Sequence, residues 1–485
     1  EIPYVWPKDI LKNYNPKNIG FDPKLFTKDT LKLYFNNSCN LFPVTSNLFK
    51  NRIEKINNDN LVYSISSSIS GESSQSKIKR LKKIIKRKEI DNLFISSNEN
   101  VCWLLNIRGK DLPNSPIANF QAIFTNKQEI FLFGDIRKLK IIKKRLLNEN
   151  IVFFEKNKFF QILSSLKGKS FGIDNKTCSL FNENLINSKY IIKNRTDPIY
   201  KLKSIKNSIE IKNMKDVHIQ DGVAVTKFLF WIKNTKIDKL DEIKVEKKLE
   251  SFRKQSKNFL FPSFSTIAGS GPNGAIIHYR SNKKSNRKLK KNHLLLLDSG
   301  GQYKWGTTDV TRTISFNKPN KKIKELYTRV LKGHIAVAVA KIDKLKNGNN
   351  LDKLARKSLK SINLDYKHGT GHGVGFFMNV HEGPQSISKN NFVKLEKGMI
   401  ISNEPGYYLE NKFGIRIENL VYVDSIKKKL FLKNLTFVPL EKDLIETSLL
   451  TKIEKDYIFN YHLETYLKIS PYLKNNERKW FVKLI

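Results

Sequence analysis

The sequence predicts a mixed α/β (α+β) chain of about three domains, and three observations predict it. The chain has 485 residues, too many for one small module at roughly 150 residues per domain. Strand-like apolar runs alternate with segments of helical periodicity up to about residue 196. After Phe261 the pattern changes to closely spaced strands and hairpin turns around one further helix.

Taken in order, the runs Ile19-Gly-Phe and Leu41-Phe-Pro-Val flank a helix expected around Thr30 to Asn36, and the polar Asn/Ser stretch from Asn57 to Ser76 reads as a linker. Residues 1–75 are thus expected to be part of a first small α/β domain. The sequence opens without methionine inside folded-looking sequence, which implies further residues upstream of Glu1. A second α/β domain, 76–196, begins at Lys77–Lys88, where Ile78, Leu81, Ile84 and Ile85 fall at helical spacing and the lysines form the wet face. Strands are expected at Leu93–Ser96, Cys102–Leu105, Ala122–Phe124, Ile130–Phe133 and Phe171–Asp174. A third domain, 197–430, opens with a long helix. Asn207 and Glu210 make its capping box, and Met214, Val217, Val225, Phe228 and Ile232 line one face. A helix between Ile323 and Ile342 and strands up to Val423 complete it, and an extension, 431–485, adds a strand and a helix around Lys452 to Leu467.

Composition excludes several classes. No stretch reaches the ~18 consecutive apolar residues of a membrane-spanning helix, so no membrane partner is expected. Three cysteines, Cys39, Cys102 and Cys178, form neither a disulfide framework nor a C-x-x-C pair, which fits a reducing, cytoplasmic setting. The formal charge of +44 is spread along the chain. No basic run coincides with stacked aromatics or a recognisable binding motif, so no specific nucleic-acid partner is predicted.

The acidic residues concentrate where chemistry is expected. In Leu294-Leu-Leu-Leu-Asp298 through Asp309-Val-Thr-Arg-Thr-Ile314, a turn centred between Tyr303 and Lys304 would make Asp298 and Asp309 cross-strand neighbours, about 5 Å apart at Cβ. Opposed carboxylates beside an apolar strand are tolerable only with a cation between them. The pattern recurs at Met399–Val421, where a loop centred on Asn411 would set Glu404 opposite Glu418. Between the two hairpins lies His368-Gly-Thr-Gly-His372-Gly-Val-Gly, followed by Asn379-Val-His381-Glu-Gly-Pro384. No lysine and Ser/Thr follow in a phosphate-loop arrangement, so the glycines are expected to let backbone crowd a site. Four carboxylates and one imidazole suit Mn²⁺, with Zn²⁺, Co²⁺ or Fe²⁺ as alternatives, and suffice for two ions.

On these segments, with Gly274-Ala-Ile-Ile-His278-Tyr, Gly306-Thr-Thr-Asp-Val-Thr-Arg-Thr and Gly414-Ile-Arg-Ile-Glu-Asn, the sequence resembles the long, three-domain Xaa-Pro aminopeptidases of the pita-bread metallopeptidase superfamily. Trp103-Leu-Leu-Asn-Ile-Arg108 and Leu435-Thr-Phe-Val-Pro-Leu440 extend the resemblance to both sides. It implies a pita-bread catalytic domain behind two creatinase-like domains, the first incomplete. It also implies two divalent ions, with Asp309 and Glu418 bridging them, Asp298 completing one, and His372 with Glu404 completing the other. Attack on proline-containing peptides would come from a water or hydroxide held between the ions, with Glu404 as base. His278, His368 and His381 would surround the substrate, Arg108 would reach it from the second domain, and a homodimer is expected. Arg416 reads equally as a substrate-side group steadying Glu418 or as a strand salt bridge. Trp305 occupies a turn tip where the family has a small acidic residue, which is no ligand position.

Two rivals stay open. A dipeptidase of the same fold, or a methionine aminopeptidase, would use the same ligands. A metal-free peptide-binding module would be expected to have lost some of them.

Overall fold

The computed structural model describes residues 14, 16–35, 39–44, 60–345 and 347–485. Two compact units emerge, one built from residues 1–112 and 117–202 and the other from 113–116 and 203–485.

In the first unit β1 (Asn18–Phe21) and β2 (Asn40–Pro43) pair in parallel across helix α1 (Lys28–Phe35). The strand–helix alternation expected of the next segment resolves into six strands: β3 (Asn92–Ile95), β4 (Gln121–Thr125), β5 (Ile130–Phe133), β6 (Ile151–Phe154), β7 (Ser170–Ile173) and β8 (Ile191–Asn194). They form one sheet in the order β8-β7-β3-β4-β5-β6. Phe94, Ile123, Phe133 and Phe171 fill its core.

Three expectations for this unit need correction. Cys102–Leu105 is not a strand: helix α3 (Asn98–Leu104) occupies that stretch, and Asn100 through Leu105 are all buried. A short apolar run hidden on every side carries no periodicity to separate strand from helix. The Asn/Ser stretch is no plain linker either, at least in its described part from Asn60. Val62 and Ile65 are buried, and Ser73 caps helix α2 (Ser74–Arg87) by accepting from the Ser76 amide; residues 57–59 lie outside the described residues. Finally, Lys77 leaves the wet face. It is 2% exposed, donates to Trp103 O (3.0 Å) and Asn106 Oδ1 (2.6 Å), and sits 4.2 Å above the Trp103 ring. Its stem follows the apolar stripe while the ammonium finds acceptors and a π face.

The second unit begins with α4 (Ser208–Lys233), whose Asn207–Glu210 capping box is formed and whose Met214, Val217, Val225, Phe228 and Ile232 are all buried. Helix α5 (Glu242–Arg253) packs beside it, with Val245 and Leu249 in the same core. Strands β9 (Ile267–Ser270), β10 (Leu295–Ser299) and β11 (Val310–Ile314) form an antiparallel sheet in that order. The expected helix appears as α6 (Lys321–Ala338), and α7 (Gly348–Lys360), which the sequence reading does not separate, packs against it. Strands β12 (Gly371–Gly373), β13 (Glu382–Ile387), β14 (Ile400–Asn403), β17 (Asn419–Ile426) and β18 (Lys429–Asn434) make a sheet ordered β13-β12-β14-β17-β18. The hairpin β15 (Gly406–Leu409) and β16 (Phe413–Arg416) stands between β14 and β17 in sequence. Helices α8 (Lys452–Ile469) and α9 (Asn475–Val482) close the chain. Among the described residues no helix is long and apolar enough to cross a membrane.

Lys77→Ala is expected to destabilise the first unit by about 2 kcal/mol, because it strands buried acceptors. Lys83→Ala, on the exposed face of the same helix, should stay within about 0.5 kcal/mol of the parent. Urea unfolding of both variants measures the contrast, and equal effects would contradict the buried role of Lys77.

Candidate metal centre

Two hairpins and a glycine-rich strand bring the acidic candidates together. In the first hairpin Asp298 pairs with Thr311 and Ser299 with Val310, and beyond them Tyr303 pairs with Gly306. The tip is therefore Lys304-Trp305, one peptide later than expected. Tyr303 is drawn into the strand because it is buried, with its hydroxyl donating to Asp221 Oδ1 at 2.8 Å, while Trp305 meets Phe377 edge-on at 5.4 Å. Asp309 consequently lies two residues from Asp298's partner, a diagonal neighbour on the same face rather than directly opposite.

The second hairpin follows its expected register. Ile400 pairs with Tyr422 and Asn403 with Asn419, while Gly406 pairs with Arg416 and Leu409 with Phe413. That single register runs through both sheets, so Glu404 faces Glu418 in the gap between them. Asn411, at the loop centre, takes φ 57°, a left-handed conformation asparagine tolerates.

His372 is the middle residue of β12. A Cβ on Gly371 would sit 1.9 Å from the Ser402 carbonyl oxygen, so only glycine lets this strand lie so close to β14. Ser402 Oγ accepts from the His372 amide (2.9 Å) and donates to Glu404 Oε1 (2.9 Å), tying two candidates together. His372 Nδ1 faces the Gly373 carbonyl at 2.9 Å. A carbonyl only accepts, so Nδ1 carries a hydrogen and Nε2 is the ring nitrogen left to face the carboxylates. That nitrogen faces Asp309 Oδ2 at 3.5 Å and Glu404 Oε1 at 3.4 Å.

One ligand atom each from Asp309, His372 and Glu418 lies within 4.8 Å of the others. Asp298, Asp309 and Glu418 are 8%, 4% and 1% exposed, and one carboxylate oxygen of each (Oδ1, Oδ1 and Oε1) is buried without a hydrogen-bond partner. Burial raises the pKa of Asp309 well above the ordinary carboxylate range, and the charges of Asp298 and Glu404 add to it. Burial does the same to Glu418, reinforced by Asp309 and Glu404, and to Glu404. Buried carboxylates with unpartnered oxygens thus cluster with an imidazole, the arrangement a divalent cation satisfies.

The remaining candidates divide. Arg416 is buried and donates to Asp298 Oδ2 (2.6 Å), Tyr408 Oη (2.7 Å) and Thr311 Oγ1 (3.3 Å). It steadies Asp298 directly and reaches Glu418 only through Thr311, whose hydroxyl donates to Glu418 Oε2 at 2.8 Å. His368 has both nitrogens engaged: Nδ1–H meets Gly369 O at 2.7 Å, and Nε2 accepts from Tyr408 at 2.9 Å. Desolvation and then Arg416 push its pKa down to about 3. His381 stands 4.0 Å from His372, ring centre to ring centre, and is pushed down to about 3 first by that neighbour and then by desolvation. His278 is lowered by desolvation and by Arg416, against the opposing pull of Asp298. Arg108 belongs to the first unit, buried, with Nη1 donating to Ile107 O (2.9 Å) and Cys102 O (3.3 Å).

Sequence reasoning missed Thr311, Ser402 and Tyr408. The period of two offers the signal for the first two: Thr311 follows Asp309 by two residues and Ser402 precedes Glu404 by two, each on its neighbour's face. Tyr408 has no such signal, because its partners come from His368 and Arg416 across the fold.

Residues 212–425 match the profile of metallopeptidase family M24, 54–210 the creatinase/prolidase N-terminal domain, and 428–484 the C-terminal region of peptidase M24. The chain is 36% identical to Xaa-Pro aminopeptidase 1 of Dictyostelium discoideum over 503 aligned residues, covering 97% of this chain and 79% of the relative. It is 38% identical to aminopeptidase P2 of Arabidopsis thaliana, covering 79% of this chain and 60% of that one. Among solved structures it resembles the X-prolyl aminopeptidase of Caenorhabditis elegans, described as a cytosolic enzyme with a di-nuclear active site, at a TM-score of 0.89 and 29% identity over 98% of this chain and 82% of the other. The prolidase of Pyrococcus horikoshii OT3 matches at a TM-score of 0.61 and 27% identity over 75% of this chain and 99% of its own.

Raised carboxylate pKa values favour the folded metal-free protein below about pH 4, and that contribution is lost as pH rises through the folded values. Metal binding offsets the loss, and its ligands deprotonate as pH rises. The Tm difference between metal-loaded and metal-free protein is therefore expected to be larger at pH 8 than at pH 6. Equal differences would contradict a cation-held carboxylate cluster.

Proposed function

The chain belongs to metallopeptidase family M24, among its Xaa-Pro aminopeptidases, and on that premise we propose that Asp298, Asp309, His372, Glu404 and Glu418 hold two divalent ions. The protein releases the N-terminal residue from peptides whose second residue is proline. The observation that carries the ligand reading is the cluster of ligand atoms from Asp309, His372 and Glu418 within 4.8 Å of one another, beside buried oxygens of Asp298, Asp309 and Glu418 that have no hydrogen-bond partner. A donor set of four carboxylates and one imidazole favours Mn²⁺, with Zn²⁺, Co²⁺ or Fe²⁺ as alternatives.

Two ions bound there supply Lewis acidity and acidify water at neutral pH. Glu404, oriented by Ser402, takes the proton of the attacking water and delivers it toward the leaving imide nitrogen. His278 and His381, whose pKa values are lowered, stay neutral at pH 7 and offer ring N–H groups to the developing oxyanion. His368 acts from the rim, oriented through Tyr408 and Arg416. Arg416 is a positioning group, its donors engaged by Asp298, Tyr408 and Thr311. A substrate-side role for Arg108 rests on the family resemblance alone, since its Nη1 donates within the first unit to Ile107 O and Cys102 O.

Proline suits such a site. Its imide nitrogen has no hydrogen and its ring fixes φ near −65°. A pocket without an acceptor for that N–H disfavours other residues, which would bury an unpaired donor. The dipeptidase reading uses the same ligands, but the prolidase likeness covers 75% of the chain where the aminopeptidase likeness covers 98%.

Further parts of the proposal concern the setting. Of the division 1–75, 76–196, 197–430 and 431–485, the last two boundaries lie near the changes of matching family at residues 211 and 427, while the first falls inside the 54–210 match. A cytoplasmic location is supported by three unpaired cysteines, with burial pushing the Cys102 thiol up to about 12. A homodimer is supported by Phe459, Leu463 and Leu467, exposed at four-residue spacing along α8. The +44 charge is a diffuse surface property, with no specific nucleic-acid partner.

With Mn²⁺ present, Arg-Pro-Pro is expected to release arginine, Arg-Ala-Ala to react slower by about tenfold or more, and the dipeptide Arg-Pro not to be the preferred substrate. Arginine release followed by chromatography measures all three. Cleavage of Arg-Pro alone would move the reading to the dipeptidase.

A further inference from the structure

The loop that carries His278 is clamped by one buried carboxylate. Glu242, the first residue of α5, is 0% exposed. Its Oε1 accepts from the Ser270 amide (2.7 Å) and Asn273 Nδ2 (3.0 Å). Its Oε2 accepts from Asn273 Nδ2 (3.0 Å), the Tyr279 hydroxyl (2.7 Å) and the Arg287 amide (2.9 Å). These donors belong to the end of β9, the turn after it, the residue beside His278 and the far limb of the loop. Further bonds close the ring: the Glu242 amide donates to Arg287 O (3.1 Å), the Ile243 amide to Asn286 Oδ1 (3.2 Å), and Arg287 Nε to Asn273 Oδ1 (3.0 Å).

None of the groups donating to this carboxylate is a cation. Five donated bonds at the start of α5 engage both of its oxygens instead. A fully satisfied buried network of this kind specifies one conformation. The loop needs that specification, because from Ile276 to Leu294 it contains neither strand nor helix. It also packs tightly against the second hairpin: a Cβ on Gly414 would meet the Gly274 carbonyl oxygen at 1.8 Å. His278 responds to the charges of Arg416 and Asp298 from this position.

We propose that Glu242 is a positioning residue that fixes the His278 imidazole at the metal centre by clamping the loop on both sides of it. The proposal rests on the reading of His278 as a group that contacts the substrate. In Glu242→Gln an amide N–H₂ would face donors where an oxygen now accepts, with almost no change in volume.

A double-mutant cycle on the metal-loaded full chain tests this, with Arg-Pro-Pro as substrate. Glu242→Gln is expected to lower kcat about tenfold with KM within about twofold, and His278→Ala to lower kcat by about a hundredfold. In the His278→Ala background the Glu242→Gln effect should shrink below about twofold, since both act through one imidazole. Tyr279→Phe removes one bond to Glu242 together with the hydroxyl's contacts to Asn273 and Ser285, should give a smaller loss that also vanishes without His278, and carries the cycle if Glu242→Gln fails to fold. An equal Glu242→Gln factor with and without His278 would overturn the positioning role and leave His278 in place. A wild-type rate in His278→Ala would overturn the reading of His278 itself, and the proposal with it.

Discussion

Four carboxylates sharing a buried space repel one another, and that repulsion is the constraint around which the second unit is organised. The strands beneath them do not neutralise it. Arg416 answers one oxygen of Asp298, Thr311 one of Glu418 and Ser402 one of Glu404, and the remaining buried oxygens of Asp298, Asp309 and Glu418 stay without protein partners. Complete satisfaction by protein donors would leave no room for a cation. The sheets are stapled elsewhere instead: buried Arg312 donates to the carbonyls of Pro439, Val438 and Glu418, to Asn419 Oδ1 and to Tyr461 Oη. Those bonds tie β11 to the strand after Glu418 and to the C-terminal extension. The candidate ligands are thus held by backbone geometry, which leaves buried oxygens of Asp298, Asp309 and Glu418 without protein partners.

The histidines show the same economy in a different form. A carbonyl opposite each Nδ1 fixes the tautomers of His368 and His372. The outcomes differ because the Nε2 partners differ: Tyr408 occupies that of His368, whereas carboxylates alone face that of His372. One glycine-rich segment thereby supplies an oriented polar group and a candidate ligand atom four residues apart.

Much of this was legible in the residues, and the failures have physical causes. Glu404 and Glu418 are placed correctly by symmetry about Asn411, because that residue takes the left-handed turn position and one register continues through both pairings beside it. The Asp298 hairpin slips from its expected register because Tyr303 has a buried hydrogen bond that no local pattern announces. The Asn207–Glu210 cap and the apolar face of α4 are local features and emerge as read. Lys77 and α3 do not, since their environment is made by segments distant in sequence. Glu242 is the extreme case: its donors lie 28 to 45 residues away, and an isolated glutamate at a helix start looks like an ordinary first-turn acid.

The central proposal is that Asp309 and Glu418 would be shared between two cations. Anomalous scattering from crystals of Mn²⁺-loaded protein tests it most directly. Two peaks are expected, both in contact with Asp309 and Glu418, with Asp298 on one and His372 and Glu404 on the other. A single peak, or two peaks that share neither carboxylate, would contradict it.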